Sequence, residues 1–468
     1  MGRVSDFFAS EKTWHGMGIA LLALFAIGLL IRCVLIPFTY DYDIYHWALT
    51  VQNAESGYGL YGSYGYYYTP VWGYIICFMD LLSNLFLGVN ELGIRDPDLL
   101  WLEHDMSEMR HTATLTSPEF NMLMKVPLII CDLLVAVLLY KAVAEYTDDR
   151  KKGELAFGLY WLCPITIYMS AVQATFDTIS ALLTLLSFML VIRRHWFSGG
   201  FMLAMAVLLK LYPGALLFVF IGYVISADRP EGRNKILIDI LKAIAGAVVC
   251  LVIILLPNIL DGNLADALTF ITDRGDSMGL NGDTLFSLLG MIIALPFIIA
   301  AGWWMSKAKE EDRPKTFIGM CMLSLGIVMF ANIGPQYVIV LLPFLAMYIA
   351  MYDRTYMLCW WLIGIGTVVS AFFLNNYSLV AGTSAYWGWP SAETVIDGIE
   401  AFTDGILGSN SIATMMNSVG EIIYGAGLIL MIIFYFERQI GRWNGKAGEI
   451  VRKVKYYRHP EEAPHEDR

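Results

Sequence analysis

The sequence has few charged residues and no excess of positive charge. Charged residues make up 16% of its 468 residues, whereas a soluble chain carries about 25%. The net charge is -11 at neutral pH, so no basic face is left to bind nucleic acid. Hydrophobic residues reach 57%, and the mean hydropathy is +0.58. These values predict an integral membrane protein that has no nucleic-acid partner.

The sequence also lacks the patterns of metal and nucleotide sites. Its seven cysteines lie inside apolar runs and never form a C-x-x-C pair, which argues against a zinc site and a disulfide framework. There is no Walker-type phosphate loop and no stretch long enough for a soluble nucleotide-binding domain. We therefore expect no cofactor and no metal ligands, although the pair Asp41 and Asp43 could hold a divalent metal.

What the sequence does contain is a series of long apolar runs. Crossing a bilayer takes roughly 20 apolar residues. Such runs lie near 16–39, 123–143, 155–172, 178–194, 236–257, 284–304, 316–333, 336–352, 355–374 and 416–436. The stretch 199–226 is interrupted at Lys210–Gly214 and is predicted to form two short helices that meet at the outer surface. The sequence thus predicts an all-α polytopic membrane protein with about 12 transmembrane helices, within a range of about 11–13.

The basic residues set the predicted orientation. If 70–88 lies in the outer interface without crossing, nearly all basic clusters fall on the cytoplasmic side, as the positive-inside rule requires. Both termini are then cytoplasmic, and 40–122 becomes one large outer loop that carries interfacial helices. The loop 257–283 is a second outer loop. A helix over Ala392–Leu407 is predicted to pack on the membrane surface.

Three segments describe the predicted organisation. A transmembrane catalytic module covers 1–374, and an outer loop with the last transmembrane helix covers 375–436. A charged cytoplasmic tail follows over 437–468 and is expected to be partly disordered.

Two carboxylates open the first outer loop. Asp41 and Asp43 are flanked by tyrosines and by Trp47. Aromatic neighbours desolvate a carboxylate, which raises its pKa and makes it a better general base. The alternative interpretation is a pair of solvated charges that cap a membrane helix.

Further polar residues are predicted at the same membrane face. Gln173 and Asp177 follow Pro164 at an outer turn, where they could face a cavity or simply cap a kinked helix end. Lys210 could be directed at a lipid phosphate or could snorkel from a helix end.

Arg274 and the turn before Gln336 complete the outer polar groups. Arg274 is the only arginine on the outer side beyond the first loop, and its planar guanidinium suits phosphate. The segment 332–337 combines a Gly-Pro break with Gln336 and Tyr337. At membrane depth, Arg32 and Asp132 are the charges that we expect to pair.

Together these clusters resemble the GT-C superfamily of polytopic glycosyltransferases. The closest resemblance is to the branch of GPI mannosyltransferase I and the polyprenyl-phosphate-mannose-dependent mannosyltransferases. Six motifs follow one another in the family's order: Asp41-Tyr42-Asp43, Tyr66–Pro70, Lys125…Asp132-Leu133-Leu134, Pro164…Gln173…Asp177, Lys210-Leu211-Tyr212-Pro213 and Gln336-Tyr337…Pro343. The match covers roughly residues 15–350, and Cys163 stands where the family usually has Asn.

The resemblance implies an inverting hexosyltransferase, with mannose as the expected sugar. The donor would be a polyprenyl- or dolichyl-phosphate sugar, and the acceptor a lipid-linked or surface glycan on the extracytoplasmic side of a cell or ER membrane. Asp43 or Asp41 would act as general base, and Arg274, Lys210 and Tyr212 would hold the donor phosphate. The residues expected to bind substrate are Gln173, Asp177, Tyr68, Gln336 and Tyr337.

Three alternatives remain open from the sequence. A flippase or polymer ligase for lipid-linked glycans would show a similar number of helices and similar outer charges. A transporter would place its ionisable groups at mid-membrane in broken helices, whereas here they gather at one face. A non-catalytic GT-C-like subunit is the third alternative.

Overall fold

The structure, a computed structural model, is built from α-helices. It describes residues 18–41, 43–61, 66–87, 116–275, 285–331, 334–374 and 412–442, together with 379, 383, 387, 398 and 401. Within these ranges there is no β-strand. The predicted all-α class is therefore confirmed.

Sixteen α-helices follow one another along the described parts of the chain. They are α1 (Ile19–Phe38), α2 (Asp43–Glu55), α3 (Pro70–Leu87), α4 (Pro118–Thr147), α5 (Arg150–Trp161), α6 (Pro164–Ile167), α7 (Asp177–Ile192), α8 (Trp196–Leu209), α9 (Leu217–Asp228), α10 (Arg233–Leu260), α11 (Leu264–Gly275), α12 (Leu285–Ser306), α13 (Arg313–Ala331), α14 (Leu342–Met351), α15 (Met357–Leu374) and α16 (Ile412–Arg442). A π-helix covers Tyr168–Gln173, and 3-10 helices cover Tyr212–Leu216 and Pro335–Val340.

Several helices are long and apolar enough to cross a membrane. Six qualify among the described residues, and a seventh is added if the pair Arg150–Trp161 and Pro164–Gln173, bent by 51°, counts as one span. Shorter apolar helices such as α7, α8 and α14 pack between them. A multi-pass membrane protein is thus confirmed, and the count of about 12 crossings stays a prediction.

Proline interrupts the bundle where the sequence predicted. The chain leaves α8 at Leu209 and turns through the Pro213-containing 3-10 helix into α9, so the predicted break at Lys210–Gly214 is confirmed. The run 336–352 is not one helix, because a 3-10 segment precedes the short α14.

The two predicted outer loops contain helices. The first holds α2 and α3, and α3 packs against α8 and α10. In the second, α10 extends to Leu260 and α11 occupies most of the rest. Of the surface helix predicted over Ala392–Leu407, only Gly398 and Ala401 lie within the described residues, and most of the tail 437–468 lies outside them.

A buried ion pair joins α1 to α4, as the sequence predicted. Arg32 Nη2 lies 2.9 Å from Asp132 Oδ2, and both side chains are fully buried. Arg32 Nη1 also donates to the Trp161 carbonyl at 2.9 Å, and the Tyr160 hydroxyl donates to Asp132 at 3.3 Å. Charges at this depth are tolerated when they are paired and hydrogen-bonded, so this network fastens α1, α4 and α5 together.

Glycines allow two helix pairs to approach closely. A Cβ at Gly246 of α10 would clash with the Phe197 carbonyl, and a Cβ at Gly200 of α8 would clash with the Ala243 carbonyl. Gly222 of α9 and Gly302 of α12 form a second close contact, where an added Cβ would clash with the backbone of the facing helix. Small residues at such interfaces let helix backbones meet in a membrane, where no hydrophobic effect drives association.

Candidate functional site

A polar cavity opens where α2, α7, α8 and the 3-10 helix Pro335–Val340 meet. Its volume is about 180 Å³. Its lining is Asp43, Tyr68, Gln173, Thr175, Phe176, Asp177, Lys210, Pro335, Gln336 and Ala371. These residues come from six separate parts of the chain, all of which reach the same end of the bundle.

Tyrosine hydroxyls fix the turn that carries Tyr68. The Tyr66 hydroxyl donates to the Thr69 carbonyl at 2.6 Å and accepts the Gly73 N–H at 2.7 Å. The Tyr61 hydroxyl donates to the Tyr68 carbonyl at 2.8 Å. The Thr69 hydroxyl in turn bonds to the Leu208 carbonyl, two residues before Lys210. The tyrosine-rich segment thereby holds the first loop against the end of α8.

A π-helix and a left-handed residue aim Gln173 and Asp177 at the cavity. Pro164 starts a new helix after the bend, and the π-turn Tyr168–Gln173 ends at Ala174, whose φ is 58°. The Thr175 N–H bonds back to the Met169 carbonyl at 3.0 Å, which closes the turn. π-helical turns recur at functional sites because they redirect side chains within a helix.

Lys210 lies among three aromatic rings and one carboxylate. Its Nζ is 3.6 Å from Asp177 Oδ2. It is also 4.4 Å from the ring centre of Phe176, 4.9 Å from that of Tyr68 and 5.7 Å from that of Tyr337. Rings attract an ammonium group through their negative faces, an effect that grows when water is excluded.

The two carboxylates of the first loop have different surroundings. Asp43 is half-buried and lines the cavity. Desolvation raises the pKa of Asp43 to about 6, with Lys210 opposing the shift and Asp177 adding to it. Asp41 is buried, and its Oδ1 accepts the N–H of Asp43 at 3.3 Å at the start of α2. Desolvation, reinforced by the charge of Asp43, raises the pKa of Asp41 to about 8.

Lys125 hydrogen-bonds to the end of α1, just before Asp41. Lys125 Nζ donates to the Ile36 carbonyl at 3.1 Å, to the Thr39 carbonyl at 2.6 Å and to the Thr39 hydroxyl at 3.0 Å. The Asn121 amide adds a bond to the Thr39 carbonyl at 3.1 Å. These contacts satisfy the carbonyls at the end of α1, so Lys125 acts on the backbone that leads into the site.

Most of the residues predicted for the site come together. Asp43, Tyr68, Gln173, Asp177, Lys210 and Gln336 all line the one cavity. Tyr212 and Tyr337 pack against each other beside it, with ring centres 4.0 Å apart. Asp41 lies next to the lining residues without joining them. The backbone of Arg274 belongs to α11, and its side chain lies outside the described residues.

Sequence reasoning missed the aromatic cluster that packs behind Phe176 at the edge of the cavity. Phe176 stacks on Trp72 with ring centres 5.4 Å apart and meets Trp47 edge-on at 5.9 Å. Phe176 stands directly before Asp177, and Trp72 follows the Tyr-Thr-Pro turn. The sequence therefore did carry a signal for this cluster, because each polar motif has an aromatic neighbour. Thr175 and Ala371 were also missed, and nothing in the sequence marks them.

The fold and the cavity define a polytopic membrane protein with a charged, aromatic-walled pocket at one end of its helix bundle. A family model described as the GPI transamidase subunit PIG-U matches residues 100–273, a little over a third of the chain. The matched region contains Gln173, Asp177 and Lys210, and thus much of the cavity wall. No curated protein matches the chain.

This match corrects the glycosyltransferase prediction. The similarity is to a transamidase subunit, so the resemblance to mannosyltransferases was wrong, and so was the assignment as a hexosyltransferase. The predicted sugar donor and glycan acceptor are withdrawn as partners for the same reason. The motifs misled because an aromatic turn, an Asp-containing loop and a Lys-x-Tyr-Pro segment indicate where polar groups gather and do not by themselves determine a reaction.

Proposed function

We propose that the chain is a non-catalytic subunit of a membrane complex of the GPI transamidase kind. Its polar cavity would receive part of the headgroup of a GPI precursor, and its other partners would be the remaining subunits of the complex. The observation that carries this proposal is the family match over 100–273, because that region supplies Gln173, Asp177 and Lys210 to the cavity.

The cavity suits a lipid-borne ligand by its position. It lies at the ends of apolar helices, where a headgroup would emerge from the bilayer. Ion pairs such as Arg194–Glu231 and Arg438–Asp353, at 2.6 Å and 2.9 Å, lie at the opposite helix ends. By the positive-inside rule we propose that this opposite end is cytoplasmic, and that the cavity faces the ER lumen or an equivalent extracytoplasmic space.

A rescue assay tests the proposed function. The chain would be expressed in cells that lack their own PIG-U subunit and carry a GPI-anchored fluorescent reporter. We expect the reporter to return to the cell surface and the chain to co-purify with the other transamidase subunits. Correct insertion without either result would overturn the proposal. Lys210→Met should restore less reporter than Lys210→Arg when the two are compared at equal amounts of inserted protein.

The proposed orientation has its own test. A glycan acceptor sequence would be placed in the turn at Gly57 and Gly59, or in the turn at Gly232, both of which have open space around them. Modification at the first position and none at the second is expected. The reverse pattern would place the cavity on the cytoplasmic side.

A further inference from the structure

A second cavity, an apolar groove, lies between α8, α9 and α10. Its volume is about 380 Å³, and the described residues that line it carry no charge and no hydroxyl, carboxyl or amide side chain. Its lining residues on α10 recur at helical spacing: Ile240, Ala243, Ile244, Ala247, Val248 and Leu251. One face of α10 thus forms a continuous apolar wall.

Glycine contacts explain why the groove is open. Gly200 and Gly246 bring α8 and α10 together, whereas Gly222 and Gly302 bring α9 against α12. α9 and α10 are therefore each held to a different neighbour, and side chains of both helices line the space between them. Ala204 of α8 adds only a methyl group to the floor, so this space is not filled from below.

The groove lies at the depth of the hydrocarbon core. α10 has 28 residues and is about 42 Å long, which exceeds the hydrocarbon thickness of about 30 Å. Ile240 lies seven residues after the start of this helix at Arg233, and Leu251 lies nine residues before its end at Leu260. The groove thus ends about 10 Å or more from either end of α10. No water is available at this depth, so only an apolar occupant fits.

The groove opens toward the bilayer. Ile244 and Val248 line it and are 52% and 51% exposed, as part of the exposed apolar face of α10. Leu203 and Phe220, in contrast, are buried at its floor. The groove therefore continues the lipid-facing surface into the bundle, and acyl chains are the molecules that contact such a surface. An unfilled groove would leave its walls without van der Waals partners.

The groove has the length of one acyl chain. On α8 its lining extends from Trp196 to Leu208, which corresponds to about 18 Å. A hydrocarbon core of about 30 Å contains two layers of chains, so one chain extends over about 15 Å. The groove therefore matches a single chain of one leaflet.

The two ends of the groove differ in access. At one end the buried side chains of Trp196 and Val224 close it. At the other end Leu217 is exposed and Gly214 is half-exposed, in the segment that follows Lys210 of the polar cavity. A chain would therefore enter from the membrane face on which the polar cavity lies.

We propose that this groove binds one acyl chain of a bilayer phospholipid from the leaflet on the cavity side, with the methyl end of the chain toward Trp196 and Val224. The site is separate from the polar cavity and goes beyond the proposed function, because it requires neither a GPI precursor nor a partner subunit. The bound chain fills the space between α9 and α10 and thereby stabilises their arrangement.

Photolabelling of the full-length chain in phosphatidylcholine nanodiscs tests the inference. The discs would contain phosphatidylcholine with a diazirine either near the methyl end or near the carbonyl end of one chain, and labelled residues would be mapped by mass spectrometry. We expect the methyl-end probe to label Leu203, which is 7% exposed and which lipid around the bundle does not reach. The carbonyl-end probe should label Leu217. Leu30 of α1, 65% exposed, reports contact with the surrounding lipid.

Two labelling patterns would contradict the proposal. Labels confined to exposed residues such as Leu30 would show that no chain enters the groove. The methyl-end probe at Leu217 together with the carbonyl-end probe at Trp196 would show that the chain comes from the opposite leaflet.

Filling the groove with a side chain should displace the lipid. Ala247→Phe places a ring in the groove, so labelling of Leu203 should fall about tenfold or more. Ala245→Phe is the matched control, because Ala245 is an exposed residue of the same helix that does not line the groove. Val207→Phe enters the groove from α8 and replaces the first variant if that one misfolds. Unchanged labelling in the variants that fold would overturn the inference.

Thermal unfolding in detergent separates a bound lipid from simple packing. Removing phospholipid should lower the unfolding temperature of the wild type and of Ala245→Phe, and should affect Ala247→Phe less, because its ring replaces the chain. Equal losses in all three would count against a lipid in the groove. Loss of the Leu203 label in the chain co-purified with partner subunits would show that a protein helix occupies the groove, which would also overturn the inference.

Discussion

Lys210 Nζ and Asp177 Oδ2 lie 3.6 Å apart with both side chains almost completely buried. The pair joins the end of α8 to the start of α7, and the rings of Phe176 and Tyr68 cover the ammonium group. Lys210 thus neutralises the Asp177 carboxylate and holds the ends of α7 and α8 together at the cavity wall. The sequence motif that contains Lys210 suggested a phosphate ligand, whereas the structure gives the lysine an internal partner.

Replacing Lys210 by Met should destabilise the protein. The change leaves Asp177 as a buried charge without its cation, which typically costs roughly 3–5 kcal/mol. Thermal unfolding in detergent would measure the loss. The double variant Lys210→Met/Asp177→Leu should recover part of it, because both charges are then gone. A double variant as unstable as the single one would show that the pair is not what stabilises this region.

Asp43 should make stability depend on pH in a defined direction. Its pKa is about 6 in the folded chain and 3.8 ordinarily. Between these values the folded state binds more protons than the unfolded state, so this group favours folding increasingly as pH falls through about 6. At pH 7.5 Asp43→Asn should therefore unfold at a higher temperature than the wild type, and the difference should vanish near pH 4.

The comparison for this pH profile is Asp312→Asn, at an exposed position. Its difference from the wild type should be small at every pH. A constant advantage of Asp43→Asn over the whole range would mean that its effect is steric and not electrostatic.

Removing the Tyr66 hydroxyl should loosen the turn that carries Tyr68. Tyr66→Phe leaves the Thr69 carbonyl without its donor and the Gly73 N–H without its acceptor, and the hydroxyl lies in a buried side chain. Unpaired buried groups cost about 1–3 kcal/mol, so the free energy of unfolding should fall by that amount. Tyr58→Phe, at a side chain that is 65% exposed, serves as control and should change it by about 0.5 kcal/mol or less.

Gly246 should tolerate no side chain. An added Cβ would meet the Phe197 carbonyl, so Gly246→Ala must push α8 and α10 apart at a cost of about 1–3 kcal/mol. Gly425→Ala in α16 is a matched control, because nothing lies within 4 Å of the added Cβ. Equal stability of the two variants in a thermal unfolding series would contradict the close packing of α8 and α10.

The sequence alone determined where helices break and which charges must meet. Pro213 and the Gly334-Pro335 pair end helices for steric reasons that hold in any fold, and both breaks are observed. Arg32 and Asp132 were predictable partners because an unpaired charge in hydrocarbon is too costly. The gathering of Asp43, Gln173, Asp177, Lys210 and Gln336 followed from the alternation of helices across a bilayer.

Tertiary structure alone decided how those polar groups are used. Asp41 and Asp43 are two residues apart, yet only Asp43 lines the cavity, because α2 begins at Asp43 and the Oδ1 of Asp41 accepts the N–H of Asp43. The aromatic rings around Lys210 come from three distant segments, and no local pattern sets their distances. Composition and periodicity predict structure only over a few turns of helix. The neighbours of a charged side chain depend instead on packing across the whole bundle. That packing determines whether the charge meets a ligand or another part of the same chain.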